Sequence, residues 1–160
     1  MKKLVLTGLI GISLLNFSCS SVQKAGAAQQ TRAEVLKMKG TWQIVSVDYD
    51  SQYKIKPFDE GADAQCFVGS QWNLIPNNYS GSYALNGGGD CPTVTQPIKF
   101  DIKNNVFSFK KIADGTKAKQ NTMGYVLNMI SSSSDNFSLE QNVPFDGQNI
   151  KVVYNFQRVN

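Results

Sequence analysis

The chain of 160 residues contains no histidine. That removes Ser-His-Asp and Cys-His nucleophilic systems, histidine-ligated metals and the usual general base near neutral pH. Carboxylate pairs of the kind glycosidases use remain, and Asp48/Asp50 and Asp59/Glu60 are the two offered. Both pairs sit in or beside strand-turn punctuation, where acidic side chains are ordinarily solvated, so no catalytic residue is assigned and no enzymatic activity is expected. Gly87-Gly88-Gly89 lacks the Gly-Lys-Ser/Thr ending and following helix of a phosphate-binding loop and reads as loop slack. No metal site and no cofactor are expected: Cys66 and Cys91 without a histidine make a poor zinc site.

The first residues address the chain. Met1-Lys2-Lys3 is followed by an apolar run from Leu4 to Leu15 and by the small-residue stop Ser18-Cys19-Ser20-Ser21. A dozen apolar residues are too few for a permanent span, which needs roughly 20, so residues 1–18 read as a signal peptide removed on export. The Ser18-Cys19 junction resembles the lipobox of bacterial lipoproteins. That resemblance implies cleavage before Cys19, acylation of its sulfur and amine with palmitate-type chains, and membrane attachment through Cys19. Residues 19–31 then form the lipidated cysteine and a small, polar tether, leaving 32–160 as the folded domain. No acidic run follows Cys19, which favours an outer-membrane lipoprotein facing the periplasm.

Without residues 1–18, which include Lys2 and Lys3 and no acidic residue, the 16 basic residues become 14 against 12 acidic. A near-neutral chain is a poor candidate for nucleic-acid binding. The basic cluster Lys110, Lys111, Lys117, Lys119 reads as a solvated loop and strand end. With Cys19 acylated, Cys66 and Cys91 are the cysteines left, in a compartment where thiols oxidise. A metal pair or reactive thiol is disfavoured for want of histidine and base, so a Cys66–Cys91 disulfide is the expectation.

Thr31-Arg32-Ala33-Glu34 has capping-box spacing and predicts a short helix over 32–38. From Gly40 onward period-two alternation takes over. It marks nine strand candidates: 41–49, 53–57, 70–76, 79–85, 97–103, 106–112, 122–131, 136–141 and 149–159. The breaks Asn77-Asn78, Asn104-Asn105, Ser133-Ser134-Asp135 and Asp146-Gly147 read as hairpin turns, whereas 86–96 reads as a loop. One apolar face per strand, linked by short turns, favours an all-β, antiparallel up-and-down barrel of eight to nine strands preceded by a short helix. Closure also abolishes exposed edges. In an even-stranded barrel the end of the last strand lies beside the beginning of the first, which puts Arg158 near Trp42.

Gly40-Thr41-Trp42 after a short helix, a meander of this length and Arg158 near the chain's end resemble the lipocalin signature. The resemblance implies that the Arg158 guanidinium packs across the Trp42 indole and closes one end of the barrel. Cys66-Phe67-x-Gly69-Ser70-Gln71-Trp72, Cys91-Pro92, Gly124-Tyr125, Gln141-Asn142-Val143-Pro144 and Val153-Tyr154-Asn155-Phe156 are similar to small lipocalin-like lipoproteins of Gram-negative bacteria. The resemblance implies fold and envelope location and no settled activity; the leading expectation, from the interior width of an eight-stranded barrel, is a membrane-tethered cup holding a small apolar, lipid-like ligand. Trp72, Leu74, Tyr83, Phe100, Phe107, Tyr125, Leu127 and Tyr154 are the candidate lining residues. The rival expectation is a filled barrel that acts as a structural or protein-interaction module through its loops.

Overall fold

The computed structural model describes residues 32–58, 61–113 and 124–159. The expected signal peptide, Cys19, the expected tether, Thr31 of the expected capping box, Asp59/Glu60, Lys117, Lys119 and the start of the strand expected at 122 lie outside them. Among the described residues a helix over 32–37, α1, precedes eight strands. These are β1 (Gly40–Asp48), β2 (Gln71–Ile75), β3 (Ser80–Gly88), β4 (Cys91–Lys103), β5 (Val106–Lys111), β6 (Tyr125–Ser132), β7 (Asn136–Phe145) and β8 (Gln148–Arg158). Each pairs antiparallel with its sequence neighbour, and β8 returns to pair with β1, so the sheet is a closed barrel. The architecture is the up-and-down barrel that alternation and short turns lead one to expect.

The turns explain the register. Asn104 and Asn105 adopt φ of 50° and 61° and Asp146 and Gly147 φ of 46° and 76°, the left-handed pairs that suit the twist of two-residue hairpins. On β8, Ile150, Val152, Tyr154 and Phe156 are buried, the inward set of a period-two strand. On β1 the inward set is Trp42, Ile44 and Val47, which changes parity midway. A bulge between Ile44 and Ser46 against β8 supplies the extra residue and re-aims the strand.

Three readings of the sequence need correction. Residues 53–57 form no strand: Pro57 lacks an N–H to give a ladder, and Ile55, Pro57 and Phe58 are instead buried in a long β1–β2 connection. Residues 86–96 are not a loop, because Asn86 pairs with Thr93 and Gly88 with Cys91 around the turn Gly89-Asp90. The β-branched run Thr93-Val94-Thr95 extends β4, and Gly87, Gly88 and Gly89 at φ of 73°, 110° and 57° make the tip tight. β7 likewise continues past 141 to Phe145, with Pro144 opposite Asn149.

A short 3-10 turn, Ala64–Phe67, ends the β1–β2 connection; Asp63 caps it by accepting from the Gln65 N–H. Cys66 is bonded to Cys91 across 25 residues of sequence, which fastens this connection to the β3–β4 hairpin.

Candidate functional site

The two ends of the barrel differ. At one end lie the start of β1, the β2–β3, β4–β5 and β6–β7 turns and the end of β8, covered by α1. At the other lie the disulfide and the β1–β2 connection.

At the helix-covered end Trp42 and Arg158 are register partners. Trp42 is buried; its indole N–H donates to the Met38 carbonyl at 2.8 Å, and its ring meets Phe137 edge-on at 4.7 Å. The Arg158 guanidinium lies 4.1 Å from the Trp42 ring centroid, well inside the reach of a cation–π contact. It also donates to the carbonyls of Lys37 at 2.7 Å, Lys39 at 2.9 Å and Ser134 at 2.9 Å. Carbonyls at a helix C-terminus have no partner within the helix, and a cation is favoured there by the helix dipole. One side chain therefore ties α1, the β6–β7 turn and the indole together. Gly40 is part of the same construction: its φ is 135°, and a Cβ there would stand 2.8 Å from an Arg158 nitrogen.

Beside this clamp is a cavity of about 390 Å³. Val35 of α1, Met38 directly after it, Ile102 of β4 and Met129 of β6 give it apolar walls. Its rim is polar: Glu34, Lys37, Asn104, Asn105 and Ser132–Ser134. Apolar walls with a few polar groups are what a small-molecule site requires.

None of the eight expected lining residues borders that cavity. Trp72, Leu74, Tyr83, Phe100, Phe107, Leu127 and Tyr154 are buried in the core, and Tyr125 is half-buried. Trp72 stacks on Tyr83 at 4.6 Å, and Phe100 on Phe107 at 5.4 Å. Phe100 and Tyr125 also border a shallower cavity of about 480 Å³ between β4, β5 and β6, with Lys99, Ser108 and Lys110.

The opposite end is stoppered from within. Phe58, 1% exposed, stands among the rings of Phe67, Phe109, Tyr125 and Tyr154, with centroids 5.1 to 5.4 Å away. Buried Gln141 donates to the Pro57 carbonyl at 3.4 Å and accepts from the Tyr154 hydroxyl at 3.1 Å. Burial pushes the Tyr154 phenol well above its ordinary value, so it remains a donor. Burial and the hydrogen bond to Asp63 push Tyr49 up to about 12. Sequence reasoning missed Phe58 and Gln141. The signal present was two apolar residues, Ile55 and Phe58, amid Lys54, Lys56, Asp59 and Glu60, in a segment with no strand to join.

Residues 38–139 match the model of a family described as a lipocalin-like domain. No curated protein matches the chain. Among solved structures, a lipocalin-like protein from Bacteroides uniformis is similar at 13% identity over 77% of this chain and 99% of that one, with a TM-score of 0.45. The odorant-binding protein from bovine nasal mucosa is similar at 12% identity over 79% and 74%, TM-score 0.46. Apocrustacyanin C1 is similar at 10% identity over 89% and 72%, TM-score 0.50. At these identities the likeness is one of fold.

Proposed function

This chain belongs to the lipocalin-like domain family, and from that premise we propose that it is an envelope-anchored binding protein that holds a small apolar, lipid-like molecule in the cavity at its helix-covered end. Barrels of this kind are wide enough for one small ligand. The observation that carries the reading is the cavity itself: about 390 Å³, with Val35, Met38, Ile102 and Met129 as apolar walls and a polar rim. That volume is within the usual range of ligand sites, roughly 300–1,000 Å³. The role is binding rather than catalysis, since no histidine is available as a base.

The position of the cavity agrees with attachment through Cys19. Val35 lies in α1 and Met38 directly after it, and the dozen residues of the expected tether reach at most about 40 Å. A bilayer-held Cys19 therefore keeps the cavity end near the membrane, where lipid-like molecules are concentrated. Acylation is checked by metabolic labelling with a fatty-acid analogue. Wild type should be labelled and recovered with membranes, and Cys19→Ala should be neither; an unlabelled wild type would remove the anchor.

Binding is checked with the neutral probe N-phenyl-1-naphthylamine. Wild type should enhance its fluorescence saturably. Met129→Trp, which places an indole in the cavity, should weaken binding tenfold or more while the melting temperature stays within a few degrees. The packed aromatic interior favours the second reading, a filled barrel acting through loops held by the Cys66–Cys91 bond. A wild type with no saturable binding supports that reading instead.

A further inference from the structure

Of the nine exposed large apolar side chains among the described residues, five stand around the helix-covered end: Leu36, Ile75, Tyr79, Ile130 and Val159, each between 37% and 53% exposed. Their places follow from the register. Ile75 ends β2 one residue past Leu74, the partner of Gly40, and Val159 follows β8 with its N–H on the Thr41 carbonyl at 2.9 Å. Ile130 lies at the β6 bulge, next to the cavity-lining Met129. Leu36 comes one helical turn after Arg32, so the two share a face of α1. Arg32 in turn reaches the β2–β3 turn: its guanidinium donates to the Tyr79 hydroxyl at 2.7 Å and lies 5.9 Å from that ring's centroid. Tyr79 has a φ of 54°, uncommon for a bulky residue, so an aromatic ring is kept at this rim at a cost in backbone strain.

The same end is basic. Arg32, Lys37, Lys39, Lys99 and Lys103 are exposed there against Glu34 and Asp101, a surplus of three, while Arg158 and Asp135 offset one another at 4.0 Å. Lys99 belongs to this end because its ammonium donates to the Asn78 carbonyl at 3.2 Å. The opposite end has no such surplus: Asp48, Asp50, Asp63, Asp90 and Asp146 outnumber the four described lysines there. Apolar side chains scattered singly over a surface need no explanation. A rim of them interleaved with cations, and with an aromatic ring among them, is the composition of a face that rests in a lipid headgroup layer. Lysine stems lie along apolar surface while their ammonium groups reach outward to phosphates.

We infer that the helix-covered end is a docking face for the surface of an anionic phospholipid bilayer, with Leu36, Ile75 and Tyr79 set among the headgroups and the surrounding lysines on lipid phosphates. Charge complementarity selects an anionic partner. The place where the chain enters selects a bilayer, since α1 is the element that follows the expected tether. The inference rests on the proposed attachment through Cys19 and goes beyond it: an acyl anchor alone keeps this end within reach of the membrane but does not fix its face against the lipid. Docking sets the cavity rim, Lys37, Asn104 and Asn105 included, against the bilayer, so that an apolar molecule enters without crossing bulk water.

The test is amide hydrogen exchange on the full chain with vesicles of phosphatidylcholine alone or of three parts phosphatidylcholine to one part phosphatidylglycerol. With phosphatidylglycerol present, residues 32–39 and 75–80 should exchange at least twofold more slowly than with phosphatidylcholine alone, and residues 86–92 and 145–149, at the opposite end, should not change. Equal exchange of 32–39 and 75–80 in the two mixtures overturns the docking face, as does slowing confined to 86–92 and 145–149. The variant Lys39→Glu/Lys99→Glu/Lys103→Glu, whose three side chains are exposed, should melt within a few degrees of wild type and lose the slowing. Wild type should lose it in molar salt, where the Debye length is about 3 Å. Slowing that persists in either case overturns the assignment to anionic lipid. Labelling of Cys19 and saturable binding of N-phenyl-1-naphthylamine do not depend on docking, so a protein that passes both and shows no slowing overturns the docking face alone and leaves the proposed function standing.

Discussion

Trp42→Ala should destabilise the protein by about 4 kcal/mol, the range for truncating a large buried aromatic side chain. The indole is 1% exposed, and three kinds of contact leave with it. Apolar packing on Phe137 is the largest, the hydrogen bond to the Met38 carbonyl is the second, and the face under the Arg158 guanidinium is the third. Arg158→Ala should cost roughly 2–3 kcal/mol, because it removes the cation–π contact and orphans carbonyls of α1 and of the β6–β7 turn. Arg158→Lys should recover only part of this, since an ammonium neither stacks on indole as a planar guanidinium does nor reaches three diverging carbonyls at once. The two losses should not add. With Trp42 absent, Arg158→Ala should cost about 1 kcal/mol less than in wild type, a coupling typical of residues in direct contact. Urea unfolding of the two single variants and the double variant measures this; strict additivity would mean that the 4.1 Å stacking contributes nothing.

Loss of the Cys66–Cys91 bond is the second large effect. In the chain-entropy model a cross-link over 25 residues stabilises by about 3.5 kcal/mol at 25 °C. The paired variant Cys66→Ala/Cys91→Ala should fall by about that amount in urea unfolding, and reduction of wild type should match it. The loss should also be local. Phe67, next to Cys66, is fully buried against Phe58, so hydrogen exchange in the β1–β2 connection should accelerate more than exchange in β7 and β8. Equal stability with and without the bond would mean that the connection is held by its packing alone.

How much of this was legible in the sequence depended on the range of the interactions concerned. Hairpin turns such as Asn104-Asn105 and strands such as β8 are set by neighbours within a few residues, and alternation exposes them directly. The approach of Arg158 to Trp42 spans nearly the whole domain, yet it follows from topology once the barrel is closed with an even number of strands. Local signals misled at Gly87-Gly88-Gly89, where a glycine run that reads as slack forms the tip of a paired hairpin, and at Pro144, which is compatible with a strand late in β7. The β1–β2 connection was illegible for a different reason. Phe58 is buried because five rings surround it, four of them on strands, and no pattern local to residues 49–63 encodes their positions. For the same reason alternation does not say whether the inside is open or filled: of the eight residues expected to line a ligand pocket, seven are buried and Tyr125 is half-buried. The helix-end cavity was missed because α1 and the turns that form it are adjacent only after the barrel closes.

Native mass spectrometry of the protein purified from its native cells in mild detergent tests the proposed function most directly. The expected result is one equivalent of a small apolar molecule on the wild-type protein and none on Met129→Trp, whose added indole takes its place in the cavity. A wild-type mass equal to that of the covalent polypeptide alone, or the same adduct retained by Met129→Trp, would contradict it.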